Sequence, residues 1–292
     1  MAGSVFMKRV GVFLYFHLIA LTIFSQASAV GLFPESLRRF DTKDNLAIQR
    51  KEIKVVTLVI GISEYVYSPL KNPTKDAAAV AEKFNRYGYD TTLLLNPNKN
   101  SIEKALQLFK SSSSNADAAI FYYAGHAIQV GGVNYIVPQD FSSQPDDYAA
   151  FESSLISMNE VIENSMASRI KLIILDACRN SPFSQDDHDS DGRNISSPLL
   201  RALKLRSGLA PISVSETSET LISFATKDGK VANDGLGDHS PFTEALLMHL
   251  DEKIDISLLL RRVRQEVMIK TKGEQQPWDY GSLLGEELII SK

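Results

Sequence analysis

The chain has 292 residues, of which 44% are hydrophobic and 23% are charged. These fractions are close to the globular average, and they exclude a disordered or collagen-like chain. The formal net charge of −4 gives no electrostatic reason to bind nucleic acid or an anionic membrane. A single cysteine excludes an intramolecular disulfide and any zinc site built from several cysteines.

The N-terminus has the features of a secretory signal. Lys8 and Arg9 supply positive charge, residues 10–24 are mainly apolar, and Ala27-Ser28-Ala29 fits a signal-peptidase site. An uncleaved membrane anchor is the alternative, but an apolar run of about 15 residues is short for the roughly 20 that a spanning helix needs. We therefore predict a signal peptide over residues 1–29. The mature protein is expected in the periplasm or outside the cell, with no stable membrane anchor.

The rest of the chain is predicted to be a short arm followed by one domain. Residues 30–52 mix charged and apolar side chains and are interpreted as a linker or N-terminal arm, and the domain is placed at residues 53–290. Residues 55–60 form a continuous apolar and β-branched run, as expected of a strand buried on both faces. Strand-like and helix-like patterns then alternate, which predicts a largely parallel sheet covered by helices. Further strands are predicted at 91–95, 118–123, 171–175, 220–225 and 287–290, a hairpin at 129–137 turning at Gly131-Gly132, and helices at 76–87, 101–110, 157–166, 241–250 and 256–270.

A long segment without periodicity interrupts this alternation at residues 181–219 and is predicted to form a mobile loop. Within it, Asp187 to Gly192 is similar to the first half of a calcium-binding loop. The twelfth position of such a loop should be Glu and is Pro198 here, so we interpret the string as solvated loop. No metal site is therefore predicted.

Two of the predicted strands end in residues capable of chemistry. His126 follows the third strand and Cys178 follows the fourth, and the carboxyl ends of parallel strands share the edge where ligands bind. An imidazole that takes the proton of a thiol makes it a strong nucleophile. Simpler interpretations remain open, with Cys178 as a core residue or an intermolecular partner and His126 as a hydrogen-bonded turn residue. His239 and His249 have no partner pattern and are predicted to be surface or helix residues.

The sequence around these two residues resembles a known family. Tyr122-Tyr123-Ala124-Gly125-His126 and Asp176-Ala177-Cys178-Arg179-Asn180 are similar to motifs of the caspase-like peptidases, most of all their bacterial metacaspase-like (orthocaspase) branch. The caspase cysteine lies in Q-A-C-[RQG]-G, about 50 residues after its histidine. The resemblance extends over roughly residues 53–285. It implies an α/β fold, a three-layer α/β/α sandwich with a mostly parallel six-stranded sheet, and cysteine-dependent cleavage of peptides.

The resemblance also implies a role for each motif residue. His126 would be the general base and acid, and Cys178 the nucleophile. Backbone N–H groups of Cys178 and Ala127 would stabilise the oxyanion. The family usually has glycine where this chain has Ala127; alanine keeps the N–H but resists a positive φ, so weaker catalysis is expected if the loop needs that conformation.

Acidic residues near the motifs predict a basic substrate side chain. Asp176 stands where the caspase motif has Gln, and a carboxylate there would pair with Arg or Lys. Asp76 matches, by the resemblance, a metacaspase aspartate that lines the pocket for a basic side chain. The alternatives are an ordinary helix N-terminal acid for Asp76 and a strand-end turn acid for Asp176. Ser223, near the end of the fifth strand, is a further candidate for the substrate groove.

We therefore expect a secreted thiol protease, an endopeptidase acting on proteins or peptides after Arg and less well after Lys. The resemblance implies no cofactor, although some metacaspases need calcium. Two alternatives are a caspase-like scaffold or regulatory module without turnover, and transfer of the thioester to an amine. The oligomeric state does not follow from the sequence. Candidate self-cleavage sites in the long loop are Arg193, Arg201, Lys204 and Arg206.

Overall fold

The computed structural model describes residues 53–66, 68–141, 148–164, 166–178, 209, 212, 219–227, 232–284 and 287–292. The predicted signal peptide and arm lie outside the described residues. So do the calcium-loop string, the candidate self-cleavage sites and nearly all of the predicted long loop. No helix within the described part of the chain is long and apolar enough to cross a bilayer.

Six strands form the main path of the sheet: β1 (Val55–Gly61), β2 (Asp90–Leu95), β3 (Ala118–Val130), β6 (Ile170–Cys178), β7 (Glu219–Phe224) and β8 (Trp278–Ser282). Their spatial order is β2-β1-β3-β6-β7-β8. Neighbours along this path are parallel except for β7 and β8, which are antiparallel. Two short strands, β4 (Val133–Ile136) and β5 (Ile156–Ser157), continue from β3 by antiparallel pairing. The predicted mostly parallel six-stranded sheet is thus confirmed.

The central strands are apolar throughout because helices cover both faces of the sheet. In β1, Leu58 packs into one core and Val59 into the other, as the alternation of strand side chains requires. On one face lie α1 (Pro73–Arg86), α5 (Pro241–His249) and α6 (Ile256–Lys270); on the other lie α2 (Lys99–Ser113), α3 (Tyr148–Ser153) and α4 (Met158–Asn164). The three-layer sandwich is confirmed.

Several element boundaries differ from the predictions, among them the start of α1 and the end of β3. α1 begins at Pro73, three residues before the predicted start, because proline is favoured in the first helical turn where its missing N–H is not needed. β3 does not end at Tyr123 but continues to Val130, where the chain turns at Gly131-Gly132 as predicted. Both turn glycines have positive φ, 58° and 87°, as a tight hairpin requires.

The prediction of a last strand at residues 287–290 is wrong. The N–H of Leu288 donates to Asp255 Oδ2 at 3.0 Å, and the C=O of Leu288 accepts from Ile256 N–H at 2.8 Å. The segment therefore uses its backbone to close the N-terminus of α6 instead of joining the sheet. The last strand is β8, whose sequence Trp-Asp-Tyr-Gly-Ser has no strand-like alternation of aliphatic residues.

Candidate active site

The carboxyl edge of the sheet brings the two predicted reactive residues together. β1 lies between β2 and β3, so the chain connections leave in opposite directions at this point of the edge, which is where ligands bind in open α/β sheets. β3 and β6 are direct neighbours, and His126 is the register partner of Cys178. Because paired strands lie about 5 Å apart, the backbones of these two residues are side by side. The expectation that the two strands are adjacent is confirmed, but His126 lies inside β3 and not at its end.

The imidazole of His126 is held in one tautomer. Its Nε2 lies 2.7 Å from the carbonyl oxygen of Ser68, which can only accept, so Nε2 carries the proton. Nδ1 is then an acceptor, and it is buried without a partner among the described residues. Burial lowers the pKa of His126, against the opposing effects of the Ser68 carbonyl and the Asp234 carboxylate. The neutral ring thus presents a free lone pair.

Ala127 keeps an ordinary strand conformation. Positive φ among the described non-glycine residues occurs at Ser68, Asn96 and Lys272 only, so alanine meets no left-handed backbone here. The N–H of Val137 donates to the C=O of His126 at 3.1 Å, which makes these two residues a hydrogen-bonded antiparallel pair. Because such pairs alternate, the N–H of Ala127 points away from β4 and towards β6. The weakening expected from a positive φ at this position does not arise.

Asp76 and Asp176 form a buried acidic pair. Asp76 lies in the first turn of α1, and Asp176 lies in β6; both carboxylates are almost inaccessible to water. His239 Nδ1 lies 2.7 Å from Asp76 Oδ1, and Ser240 N–H donates to Asp76 Oδ2 at 3.3 Å. Asp176 Oδ2 accepts from the hydroxyl groups of Ser240 and Thr243, the latter at 2.5 Å. Ser240 therefore bonds to both acids.

The two acids perturb each other's protonation. Burial, followed by repulsion from Asp176, raises the pKa of Asp76 to about 9. Burial also raises the pKa of Asp176 to about 6, although the hydroxyl groups of Ser240 and Thr243 act in the opposite direction. Since two like charges are unfavourable in a dry site, the pair retains a proton at neutral pH.

Asp234 ties the segment before α1 to the segment before α5. Its carboxylate accepts from the backbone N–H groups of Lys71 (2.6 Å) and Asn72 (3.3 Å). The side-chain amide of Asn72 donates to the C=O of Asp234 at 2.5 Å, which leaves Asn72 Oδ1 buried without a partner. The buried side-chain polar atoms without a partner, within the described residues, are this oxygen, His126 Nδ1 and Thr226 Oγ1. All three belong to segments at the carboxyl edge, and buried polar atoms without a partner often have a catalytic role.

Ser223 is engaged elsewhere. It lies inside β7, and its hydroxyl donates to Asp279 Oδ1 of β8 at 2.7 Å. Asp279 in turn accepts from Arg264 at 2.5 Å. The serine makes no hydrogen bond to the acidic pair, and its role in substrate binding stays a prediction. No three His, Cys, Asp or Glu side chains converge as metal ligands in the part of the chain that the structure describes.

The comparison with known families agrees with this arrangement. The family model described as the caspase domain matches residues 54–288. The chain belongs to the caspase-domain peptidase family. Solved structures show the same fold: protein GSU0716 from Geobacter sulfurreducens has a TM-score of 0.57 and 14% identity, with 82% of this chain and 97% of that chain covered. The Drosophila initiator caspase Dronc has a TM-score of 0.55 and 14% identity, with coverage of 81% and 82%.

Curated relatives of this caspase domain are distant. The mucosa-associated lymphoid tissue lymphoma translocation protein 1 of Homo sapiens is 25% identical over 243 residues, which are 80% of this chain and 26% of that protein. A probable protease from a Desulfuromonadales bacterium is 26% identical over 156 residues, 43% of this chain and 18% of that protein. The chain thus spans about a quarter or less of these relatives' lengths.

Four residues of the caspase domain were missed or misassigned by sequence reasoning. The prediction that His239 is a surface or helix residue is wrong, because its ring contacts Asp76 and its side chain is 28% exposed. Asp234 and Tyr65 carried no signal, since their partners are distant in the chain. Ser240 lies within residues 53–285, over which the family resemblance extends, but it was not singled out as a site residue although it bonds to both acids.

Proposed function

We propose that this chain is a cysteine endopeptidase that cleaves after Arg and less well after Lys. The observation that carries the proposal is the direct backbone pairing of His126 with Cys178 at the carboxyl edge, with His126 Nδ1 buried and without a partner among the described residues. Membership of the caspase-domain family supports the same chemistry. Export to the periplasm or the outside of the cell, after removal of residues 1–29, is part of the proposal.

The proposed reaction uses the neutral imidazole first as a base. His126 Nδ1 takes the proton of the Cys178 thiol, and the sulfur attacks the carbonyl carbon of the scissile bond. The N–H of Ala127, which points towards β6, and the N–H of Cys178 are the proposed donors to the oxyanion. His126 then gives its proton to the leaving amine. Water, deprotonated by His126, hydrolyses the thioester and restores the thiol.

The proposed specificity follows from the acidic pair. A cationic side chain that reaches Asp76 and Asp176 replaces the proton that the pair holds, and its positive charge relieves the repulsion between the carboxylates. A guanidinium has five N–H donors in a fixed plane, whereas an ammonium has three, so Arg fills several acceptors better than Lys. An acidic substrate side chain would add a third negative charge.

The test uses fluorogenic peptides that differ only in the residue before the cleaved bond. We expect turnover with Arg, slower turnover with Lys and none with Asp, measured with and without calcium because a calcium requirement is a further open variable. Cys178→Ala should abolish turnover, and His126→Ala should lower kcat at least about 100-fold. Preference for Asp would contradict the proposed pocket.

A scaffold without turnover is the second candidate. Asp76 Oδ2 and Asp176 Oδ2 already accept hydrogen bonds from Ser240 and Thr243, and Asp76 Oδ1 contacts His239, so much of the acidic pair is satisfied without a guest. An electrophilic probe carrying Arg separates the two functions. Covalent labelling that is lost in Cys178→Ala supports the peptidase, and absence of labelling at every calcium concentration supports the scaffold.

A further inference from the structure

Two tyrosine hydroxyl groups hold the backbone of His126 from both sides. Tyr65, in the segment after β1, accepts the N–H of His126 on its hydroxyl oxygen at 2.9 Å. Tyr123, in β3, donates its hydroxyl proton to the C=O of His126 at 2.5 Å. The two hydroxyl oxygens are 3.2 Å apart, and both side chains are buried.

We propose that Tyr65 and Tyr123 are positioning residues that fix His126 for proton transfer. The inference rests on the proposed function, and it adds two residues for which neither the sequence motifs nor the comparisons assign a role. The hydroxyls contact the backbone of His126 and not its ring nitrogens, so they act through the histidine and do not exchange protons with the substrate.

The proton directions in this group are consistent. The C=O of His126 can only accept, so the single proton of Tyr123 is directed to it. Tyr65 accepts from His126 N–H and donates its own proton to the C=O of Val137 at 3.3 Å. Both backbone groups of His126 are thereby satisfied inside a dry site, where an unpaired group would be unfavourable.

The same segment also fixes the imidazole ring. The Tyr65 ring packs against the His126 ring with centroids 4.4 Å apart and planes inclined by 52°. Three residues further on, the carbonyl of Ser68 accepts from Nε2. The backbone, one ring face and one ring nitrogen of His126 are therefore held by Tyr65, Ser68 and Tyr123, which leaves Nδ1 without a partner among the described residues.

Gly125 provides the space that the tyrosine pair needs. A Cβ at this position would lie 2.6 Å from both hydroxyl oxygens, and its φ of 152° is one that side-chain-bearing residues rarely adopt. The glycine before the histidine is therefore explained by the hydroxyl pair and not by a turn, since β3 continues through it.

The central test is Tyr65→Phe, which keeps the ring and removes the oxygen that accepts from His126 N–H. We expect kcat for an Arg peptide to fall about 10- to 100-fold, because a small displacement of the base is costly, while KM changes less than about 3-fold. Tyr123→Phe removes the donor to His126 C=O, which keeps its bond from Val137, so a smaller fall in kcat is expected. The matched control is Tyr89→Phe, a buried tyrosine whose hydroxyl donates to the C=O of Ile290 at 2.5 Å.

A measurement that needs no peptide turnover tests the role of the two tyrosines independently of the proposed function. NMR signals of the His126 imidazole, assigned by their loss in His126→Gln, should shift or broaden in Tyr65→Phe and stay unchanged in Tyr89→Phe. If wild type cleaves no peptide, the proposed function fails while the NMR comparison still tests the tyrosine pair. The inference is overturned if Tyr65→Phe and Tyr123→Phe match Tyr89→Phe in kcat and in the imidazole signals.

Discussion

At the scale of single residues, Asp76 makes the folded state less stable as the pH rises. Burial and the neighbouring Asp176 raise its pKa from 3.8 to about 9. Between these two values the folded chain keeps a proton that the unfolded chain has lost, so the free energy of unfolding falls as pH rises. The proposed site for a cationic side chain would thus be kept at the expense of stability, as functional sites often are.

Asp76→Asn should therefore stabilise the protein at alkaline pH. The amide keeps an acceptor for Ser240 N–H and gains a donor towards His239 Nδ1, and it removes the ionisation that opposes folding. We expect the melting temperature at pH 8.5 to rise by at least about 2 °C, the effect of roughly 1 kcal/mol in a chain of this size. The measurement is thermal unfolding followed by circular dichroism.

Comparison across pH separates this cause from a general effect of charge removal. The gain from Asp76→Asn should shrink at pH 5, where the folded wild type is protonated at this position. Asp90→Asn, at an exposed aspartate at the start of β2, should change the melting temperature little at either pH. A gain from Asp76→Asn that is the same at pH 5 and pH 8.5 would contradict the linkage argument.

A site residue could be predicted from the sequence only where its neighbours in the chain indicate its role. His126 and Cys178 each follow an apolar run, a pattern that the sequence displays directly, although β3 continues past His126 to Val130. The contact between His239 and Asp76 joins residues 163 positions apart and has no periodic or motif signature. His239 meets Asp76 because α5 packs beside α1, and no local sequence pattern predicts that packing.

At the scale of elements, two segments at the carboxyl edge depend on one carboxylate. Asp234 accepts the N–H groups of Lys71 and Asn72, and the Lys71 ammonium donates to the carbonyls of Leu236 and Gly237 at 2.7 and 3.0 Å. The segment that leads into α1, and with it Asp76, is therefore held by the segment that leads into α5. The acidic pair owes its geometry to this connection.

Asp234→Asn should loosen the connection. One of its two acceptor oxygens becomes an NH₂ group that faces a backbone N–H, and a buried donor without an acceptor costs about 1–3 kcal/mol. We expect the KM for Arg peptides to rise about tenfold, equivalent to about 1.4 kcal/mol, with kcat nearly unchanged. Steady-state kinetics and a thermal melt provide the two readouts.

The matched control for this variant is Asp238→Asn in the same segment. Asp238 pairs with Lys75 at 3.4 Å, but its side chain is 90% exposed, and exposed ion pairs contribute little. KM and melting temperature should therefore stay close to wild type. An equal rise of KM in both variants would show that general charge, and not the hydrogen bonds of Asp234, sets substrate affinity.

Helices and strands were predicted correctly where a local apolar pattern determines them. The prediction failed where hydrogen bonds to distant residues determine the structure of a segment. The apolar runs of β1 and β6 and the helical stripes of α1, α2 and α6 are visible because both faces of the sheet are covered. Residues 287–290 look like a strand, but the backbone of Leu288 is taken by the start of α6. Gly125 was interpreted as following a strand end, but β3 continues through it, and the glycine leaves room for the two tyrosine hydroxyl groups.

At the scale of the whole molecule, the two sides of the long loop are joined by the sheet itself. Ile170–Leu175 of β6 pair in register with Glu219–Phe224 of β7. Residues from before and after the loop also share both cores; Ile173 and Ile222 pack in one, and Ile174 and Leu221 in the other. The covalent connection between residues 178 and 219 is therefore not what holds the two parts together.

A chain cut within the loop should remain one particle. With a specific protease site introduced at residue 193, we expect the two pieces to elute together in size-exclusion chromatography without denaturant, at the volume of the same variant left uncut. They should also melt in one transition, because strand pairing and both cores stay intact. Separation of the pieces under native conditions would contradict this prediction.

The order of strands places β3 and β6 at the middle of the sheet, with two strands on each side. A molecule that adds a strand to either outer edge would therefore stand about 15 Å from the reacting strands, three strand spacings away. Such a molecule would affect the proposed hydrolysis by displacing β1 or β7. The segment after β1 carries Tyr65 and Ser68, and the segment after β7 carries Thr226. Binding at an outer edge of the sheet therefore leaves the proposed reaction unaffected unless the segment after β1 or the segment after β7 moves.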